Sequence, residues 1–342
     1  MNLKNLSVTI KIPKLFKDKL KNTKINRIYK EFEKSINLKK EFIVAVSGGP
    51  DSLALAFLSK IYSIKNKIGM KCIIVDHKLR PESTKEAKFV KNVLKKNFID
   101  TEILTWKGKK PSNNIQSKAR KKRYELLFKR CNQLKIKNIL LGHHLDDLLE
   151  NFFIRLLRGS GLKGLVSLSK KTTVNNINIL RPFLELKKND LKFISGNVFN
   201  FYVQDPFNKD DKYLRIKIRN LIRNLEKEGL DKKKFFKTIK NLKYSDAVVN
   251  FYVNQNIKKN TFFSTKDNRL IINENFFQQP HEVIFRSLSE AIRLISKKYY
   301  SVRGKKLENI IEKIENNNRF KQTLSGCIIE KVEQTVIISK EY

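Results

Sequence analysis

Apolar residues occur in short runs with few polar residues inside them, spaced along about the first two fifths of the chain. Phe42-Ile43-Val44-Ala45-Val46 is the first, Lys71 to Val75 and Glu102 to Trp106 follow, and Lys137 to Leu141 closes the series. Runs this short and this apolar read as strands buried on both faces rather than as half-exposed ones. Between them the period changes to that of a helix, over the segment opened by Asp51-Ser52, over Lys85 to Lys96 and over Ile115 to Asn132. Strand and helix alternating in this way predict an α/β domain with a parallel sheet covered on both sides, and ligands then belong at the carboxyl ends of the strands.

The pattern shifts near residue 210. From Asp211 to about Lys243 the chain is charged and helical in period, with Leu214, Ile218, Leu221, Ile222 and Leu225 as an apolar stripe. Val253 to Gln279 can hold a pair of strands. Val283 to Ile295 and Leu307 to Ile314 read as two helices, and Cys327 to Ile338 alternates as a terminal hairpin. The expected organisation is an N-terminal extension over 1–40, a nucleotide-binding domain over 41–210, a basic helical linker over 211–250 and a small mixed domain over 251–342.

Charge narrows the partner. Lys and Arg number 73 against 33 Asp and Glu, a formal charge of +40, which makes a polyanion the natural partner and nucleic acid the first choice. A general bias toward Lys, Asn and Ile is the plain alternative. The apolar runs are far too short to span a membrane, and the first residues lack the apolar core of a signal peptide. Cys72, Cys131 and Cys327 are odd in number and set in apolar surroundings, which reads as buried thiols of a cytoplasmic protein.

Candidate chemistry falls just after the strands. Ser47-Gly48-Gly49-Pro50-Asp51-Ser52 joins a strand to a helix, a turn whose N–H groups can hold a phosphate; a purely structural turn is the alternative. Neither the G-x-x-x-x-G-K-[ST] loop nor G-x-G-x-x-G is present. After another strand comes Gly142-His143-His144-Leu145-Asp146-Asp147-Leu148-Leu149-Glu150, where His143, Asp147 and Glu150 share one helix face. That face suits a catalytic cluster, with a carboxylate near Mg2+ and phosphate or positioning a cation; a transition-metal site and a capped polar network are the alternatives. Asp76 and His77 end a third strand, where Asp76 can contact a ribose or a metal, or simply cap a turn. Arg120, Arg123 and Tyr124 lie together in a helix, Arg155 and Arg158 precede a glycine-rich turn, and Arg215, Arg219 and Arg223 recur every four residues as a stripe for a nucleic-acid backbone.

Taken together and in order, these segments resemble a known family. The Ser-Gly-Gly-Pro-Asp-Ser loop resembles that of the N-type ATP pyrophosphatases (PP-loop superfamily). With Val75 to Arg80, Ala119 to Tyr124, Gly142 to Asp147, Arg158-Gly159-Ser160-Gly161, Arg181-Pro182-Phe183 and Arg219 to Arg223, the set is similar to tRNA(Ile)-lysidine synthetases over about residues 40 to 225. The late Thr323-Leu324-Ser325-Gly326-Cys327 is similar to a segment of some members, with Ser325 where glycine is usual. Leu148 and Asn151 stand where members often have glutamine and threonine.

The resemblance implies an adenine nucleotide alpha hydrolase-like sheet, a helical linker and a tRNA-contacting C-terminal domain. It implies a bacterial, cytoplasmic ligase, with no membrane attachment, that uses ATP and Mg2+ to join free L-lysine to C2 of the wobble cytidine of a CAU-anticodon tRNA(Ile), through an adenylated cytidine. Members are often dimeric, so a homodimer is expected as one assembly. Ser47, Gly48, Gly49, Pro50, Asp51, Ser52, Asp76 and His77 would bind the nucleotide. Asp51, Arg120, His143 and Asp147 would be catalytic, Asp51 and Asp147 would meet Mg2+, and Asp147 with Glu150 would hold the lysine amine. Arg155, Arg158, Arg215, Arg219 and Arg223 would contact tRNA. The rival readings are a tRNA-thiolation ATP pyrophosphatase and a non-catalytic RNA-binding protein that retains the nucleotide fold.

Overall fold

The structure is a computed structural model that describes residues 13–108, 113, 115–203, 214–265, 267–297, 302 and 304–341. Residues 1–12 of the expected extension and 211–213 of the expected linker lie outside them. The chain divides into two compact units, Met1–Lys237 and Thr238–Tyr342.

The first unit runs α1 (Lys14–Leu20), α2 (Thr23–Ser35), β1 (Phe42–Val46), α3 (Pro50–Asn66), β2 (Met70–Asp76), α4 (Ser83–Lys96), β3 (Thr101–Thr105), α5 (Ile115–Leu134), β4 (Asn138–Leu140), α6 (Leu145–Leu156), α7 (Leu162–Leu165), β5 (Lys171–Val174), β6 (Ile177–Leu180), α8 (Lys188–Phe199) and α9 (Leu214–Lys227). Six strands form one sheet in the order β3-β2-β1-β4-β6-β5, parallel except for β5. Burial follows the pleat. Phe42, Val44 and Val46 of β1 enter a core with α2, α3 and α8, while Ile43 enters the opposite core with Leu127 and Cys131 of α5. Both sheet faces are covered, which is why the strands read as apolar without alternation.

Residues 14–35 do more than approach the domain. Phe16 on α1 and Ile25, Ile28 and Phe32 on α2 are buried in that first core, with Phe16 edge-on to Phe57 at 5.4 Å between ring centres. The antiparallel β5–β6 hairpin turns through Asn175 and Asn176, both at positive φ, a pair suited to a two-residue turn. On α9 the buried residues are Ile216, Ile218 and Ile222, whereas Leu214 and Leu221 are exposed. The helix is rotated from its expected stripe because Arg215 and Arg219 face carboxylates on α6. The boundary between the units falls inside α10 (Lys232–Asn260), earlier than the domain start expected near 251.

In the second unit β7 (Thr261–Ser264), β8 (Arg269–Ile272), α11 (His281–Ser296), α12 (Gly304–Asn316), β9 (Arg319–Leu324), β10 (Cys327–Val332) and β11 (Thr335–Lys340) build an antiparallel sheet of order β7-β8-β11-β10-β9. Apolar faces of α11 and α12 join it in a separate core. The terminal hairpin has a third strand, β9, whose outer residues are exposed and read as polar in sequence. Ser325 and Gly326, at φ of 58° and 79°, form the turn between Leu324 and Cys327, so Ser325 occupies a left-handed conformation that glycine adopts more readily. Among the described residues no helix is long and apolar enough to cross a membrane.

Candidate active site

β1 lies between β2 and β4; the chain passes from β1 to β2 on one side and from β4 to β5 and β6 on the other, so the connections part at the carboxyl ends of β1 and β4. A crevice forms at such a switch point. The Ser47 to Ser52 turn follows β1, and Gly142 to Asp147 follows β4, so the two strongest sequence motifs meet there. Gly142 is required by the closeness of that meeting, since a Cβ on it would lie 3.1 Å from the Asp51 carbonyl carbon and oxygen. A cavity of about 930 Å³ opens between them.

The turn is rigidly made. Gly48 adopts φ +83°, and a Cβ there would sit 2.7 Å from Val90, so both conformation and space select glycine. Ser52 Oγ donates to the Gly49 carbonyl at 2.9 Å and accepts from the Ser47 N–H at 3.1 Å. Pro50 occupies the first helical position, where its missing N–H costs nothing and its fixed φ suits the start of α3. The amino end of this 17-residue helix faces the crevice with Asp51 in its first turn. Among the described residues the buried Asp51 Oδ1 has no hydrogen-bond partner, an arrangement that leaves a carboxylate oxygen for a cation.

Across the crevice His144 caps α6. Its Nδ1 accepts from the Asp146 N–H at 3.2 Å, and the Asp147 carboxylate accepts from the His144 N–H at 3.0 Å, a reciprocal cap. His144 Nε2 lies 3.6 Å from Asp51 Oδ2 and 3.5 Å from Asp147 Oδ2. Burial alone would lower the His144 pKa, but the hydrogen bond to Asp51 and the charges of Asp147, Asp51 and Asp146 outweigh it and raise it. Burial would raise the Asp147 pKa, yet the charges of His144, His143 and Arg215 and the His144 N–H hold it low. Asp147 is therefore a carboxylate at neutral pH. His143 behaves oppositely: burial lowers its pKa, Asp147 opposes, and Arg120, Arg181 and Arg215 add to the lowering, which leaves a neutral imidazole whose buried Nδ1 has no partner among the described residues.

Glu150 is buried at 1 % exposure, and its two oxygens accept from Arg215 Nε and Arg219 Nε, each at 2.8 Å. Arg215 also reaches Asp147 at 3.2 Å. Two carboxylates thus meet two guanidiniums from α9 through three oxygens, and helices α6 and α9 are fixed together by charge as well as by Leu145, Leu149, Ile218 and Ile222.

At the rim, Asp76 accepts from the Lys78 N–H, Ser83 Oγ and Thr84 Oγ1 at 2.9, 3.0 and 2.7 Å, so both oxygens serve the turn into α4. Burial would raise its pKa, and those bonds lower it. His77 accepts from Arg123 Nε at 3.2 Å; burial and Arg123 push it down to about 4 against the pull of Asp76. Arg120 donates to Tyr124 Oη at 3.3 Å and lies over its ring, 5.3 Å from the centre, keeping an exposed cation at the cavity wall.

Of the residues singled out in sequence, Ser47, Gly49, Asp51, Ser52, Asp76, His77, Arg120, His143, Asp147, Arg215 and Arg219 line this one cavity. Gly48 and Pro50 shape the turn behind it. Glu150 lies beneath the wall, closed off by its two arginines. Arg155 is half-buried on the last turn of α6, and Arg158 and Arg223 are exposed. Arg215 and Arg219, read as backbone contacts for a nucleic acid, are committed to Glu150 and Asp147 because a buried carboxylate demands a partner. The role of His144 was not visible in sequence, although a residue three before a carboxylate at a helix start is a signal for a reciprocal cap.

A parallel sheet with a Ser-Gly-Gly-Pro-Asp-Ser turn at its switch point defines a PP-loop protein, and residues 18–226 match the family model described as PP-loop domain. The U34-tRNA thiolase NcsA from Methanococcus maripaludis, solved with its [4Fe-4S] cluster, has the same fold, with a TM-score of 0.56 and 16 % identity over 65 % of this chain and 78 % of that one. Within this class the chain belongs to the tRNA(Ile)-lysidine synthase family, ATP-dependent ligases. It is 35 % identical over 309 residues to the tRNA(Ile)-lysidine synthase of Orientia tsutsugamushi, covering 87 % of this chain and 69 % of that protein. The enzyme of Wolbachia pipientis wMel is 34 % identical over 87 % of this chain and 70 % of its own, and that of Rickettsia felis 32 % over 92 % and 74 %.

Proposed function

We propose that the protein joins free lysine to C2 of the wobble cytidine in a CAU-anticodon tRNA(Ile), in the cytoplasm of a bacterium. The observation that carries this reading is the meeting, in one cavity, of the phosphate-holding turn after β1 and the carboxylates at the head of α6. In the first step the cytidine C2 oxygen attacks the α-phosphorus of ATP, the bond to the bridging oxygen breaks and pyrophosphate leaves. In the second the lysine side-chain amine attacks C2, the C2–O bond breaks and AMP departs with that oxygen.

Ser47, Gly49, Ser52 and the amino end of α3 would hold the phosphates, and Arg120 would neutralise charge as pyrophosphate leaves. The unpartnered Asp51 Oδ1, with Asp147 nearby, suits Mg2+, which keeps several waters and takes only one or two carboxylates beside phosphates. When bound, the ion supplies charge stabilisation to the phosphates. An amine with a free pKa near 10.4 is a poor nucleophile until it loses a proton; Asp147, ionised at neutral pH, attracts the ammonium and orients it while that proton passes to water. Glu150 would act with it on the amine only as Arg215 or Arg219 yields an oxygen; as paired here it supports Asp147 through the shared Arg215. Asp76 would offer the nucleotide its rim position rather than a free carboxylate. Arg155, Arg158 and Arg223 remain available to tRNA.

Thiolation is the rival within the fold class. It is disfavoured by the cysteines: Cys72 and Cys131 are buried in the two sheet cores, their thiols pushed up to about 12 by burial, and no cysteine lines the cavity. Incubation with ATP, radiolabelled lysine and tRNA(Ile) transcript tests the proposal. Label should pass to that RNA and not to a methionine tRNA with the same anticodon, and no transfer would end it.

A further inference from the structure

We infer that His144 is a positioning residue that ties the phosphate-binding turn after β1 to the carboxylate helix α6 through the N–H of its Nε2. The inference rests on the proposed reaction for its consequence, but its geometry stands apart from it. Nδ1 accepts the N–H of Asp146, so the proton of the neutral ring sits on Nε2. Nε2 faces two oxygens from opposite sides of the crevice, Asp51 Oδ2 at 3.6 Å and Asp147 Oδ2 at 3.5 Å. The side chain is 4 % exposed, and both carboxylate oxygens stand within ion-pair distance of that nitrogen.

A helix cap alone does not explain this residue. Ser, Thr, Asp and Asn cap better than His and need only one polar atom. The second nitrogen is the part that a cap leaves over, and it is the part aimed at both acids. The backbone is held as well, because His144 bridges Phe183 beside β6 and Gly142 lies so near Asp51 that a Cβ on it would stand 3.1 Å from the Asp51 carbonyl. One imidazole therefore sets the spacing between the group that faces the phosphates and the group that faces the amine, and a small error in that spacing acts on the reacting centre rather than on binding.

Two isosteric variants of the full-length protein separate the roles. His144→Asn keeps a polar atom at the Nδ1 position and caps α6, but cannot reach Asp51. His144→Gln places an amide N–H at the Nε2 position and weakens the cap. With ATP, lysine and tRNA(Ile), H144N is expected to lose about 10²-fold in kcat with KM for ATP and lysine within about threefold of wild type, and H144Q to recover most of that loss. Wild-type kcat in H144N, or an equal loss in both variants, overturns the clamp. Independently of turnover, 15N shifts of the His144 ring in the wild-type protein should report the Nε2–H tautomer, and an Nδ1–H tautomer overturns it. A wild type that makes no lysidine would sink the proposed function and leave the tautomer test standing.

Discussion

Replacing Glu150 by glutamine perturbs the most deeply buried charge in the site while preserving its shape. Glu150 is 1 % exposed and accepts two charge-assisted bonds of 2.8 Å, one from each of Arg215 and Arg219. The amide retains one acceptor oxygen and turns an NH2 toward the other guanidinium, donor against donor. One charge-assisted bond is lost, about 1.5–3 kcal/mol, and breaking a buried pair costs about 3–5 kcal/mol in all. Arg215 keeps Asp147, and both guanidiniums are partly open to water, so the lower end applies, about 3 kcal/mol. Trp106 is the chain's one tryptophan and lies beside His77 in the first unit, 6.3 Å between ring centres, so its fluorescence during urea unfolding follows that unit. E150Q should lower the midpoint at unchanged slope. A loss under about 1 kcal/mol would refute the claim that Glu150 fastens α9 to α6, since surface substitutions already reach about half of that.

Asp147→Asn should abolish lysine transfer while tRNA affinity in a filter-binding assay stays within a few-fold; a parallel collapse of tRNA binding would contradict the local role of its charge. Gly142→Ala pushes a Cβ against the Asp51 backbone at 3.1 Å, so it should cost about 1–3 kcal/mol and weaken ATP binding by calorimetry, the Asp51 turn being the part displaced. His77 is held near 4 against an ordinary 6.5, so as pH falls from about 6.5 toward 4 the unfolded chain takes up a proton that the folded one refuses. Stability is then lost on the acid side, and His77→Gln should flatten that part of the pH–stability curve measured by thermal melts.

The sheet was legible because β1, β2 and β4 are buried on both faces and so announce themselves as apolar runs. The crevice motifs were legible because they follow those runs directly. Other elements were hidden for stated reasons. Strand β9 alternates Arg, Lys and Thr on an exposed face, and the β5–β6 hairpin is short and polar apart from its Asn175-Asn176 turn. The orientation of α9 was misread because apolar spacing alone ranks Leu214 and Leu221 with Ile218. The deciding interaction is the pairing of Arg215 and Arg219 with an acid 65 or more positions away. Long-range charge pairing leaves no local periodicity. His144 escaped for the same reason, since its partner Asp51 comes from a different strand end. The second helix before β1 carries its own sign in Ile25, Ile28, Tyr29 and Phe32, whose spacing is that of a buried face rather than of a solvated arm.

In the proposed reaction one hollow at the β1–β4 switch point activates a cytidine with ATP and then delivers an amine to it. Quenched-flow with ATP labelled at the α-phosphate and tRNA(Ile), first without lysine and then chased with it, tests this directly. Label should accumulate on the RNA and be discharged as AMP when lysine is added. RNA that never acquires label from a folded, ATP-binding protein, or label that lysine fails to release, would contradict it.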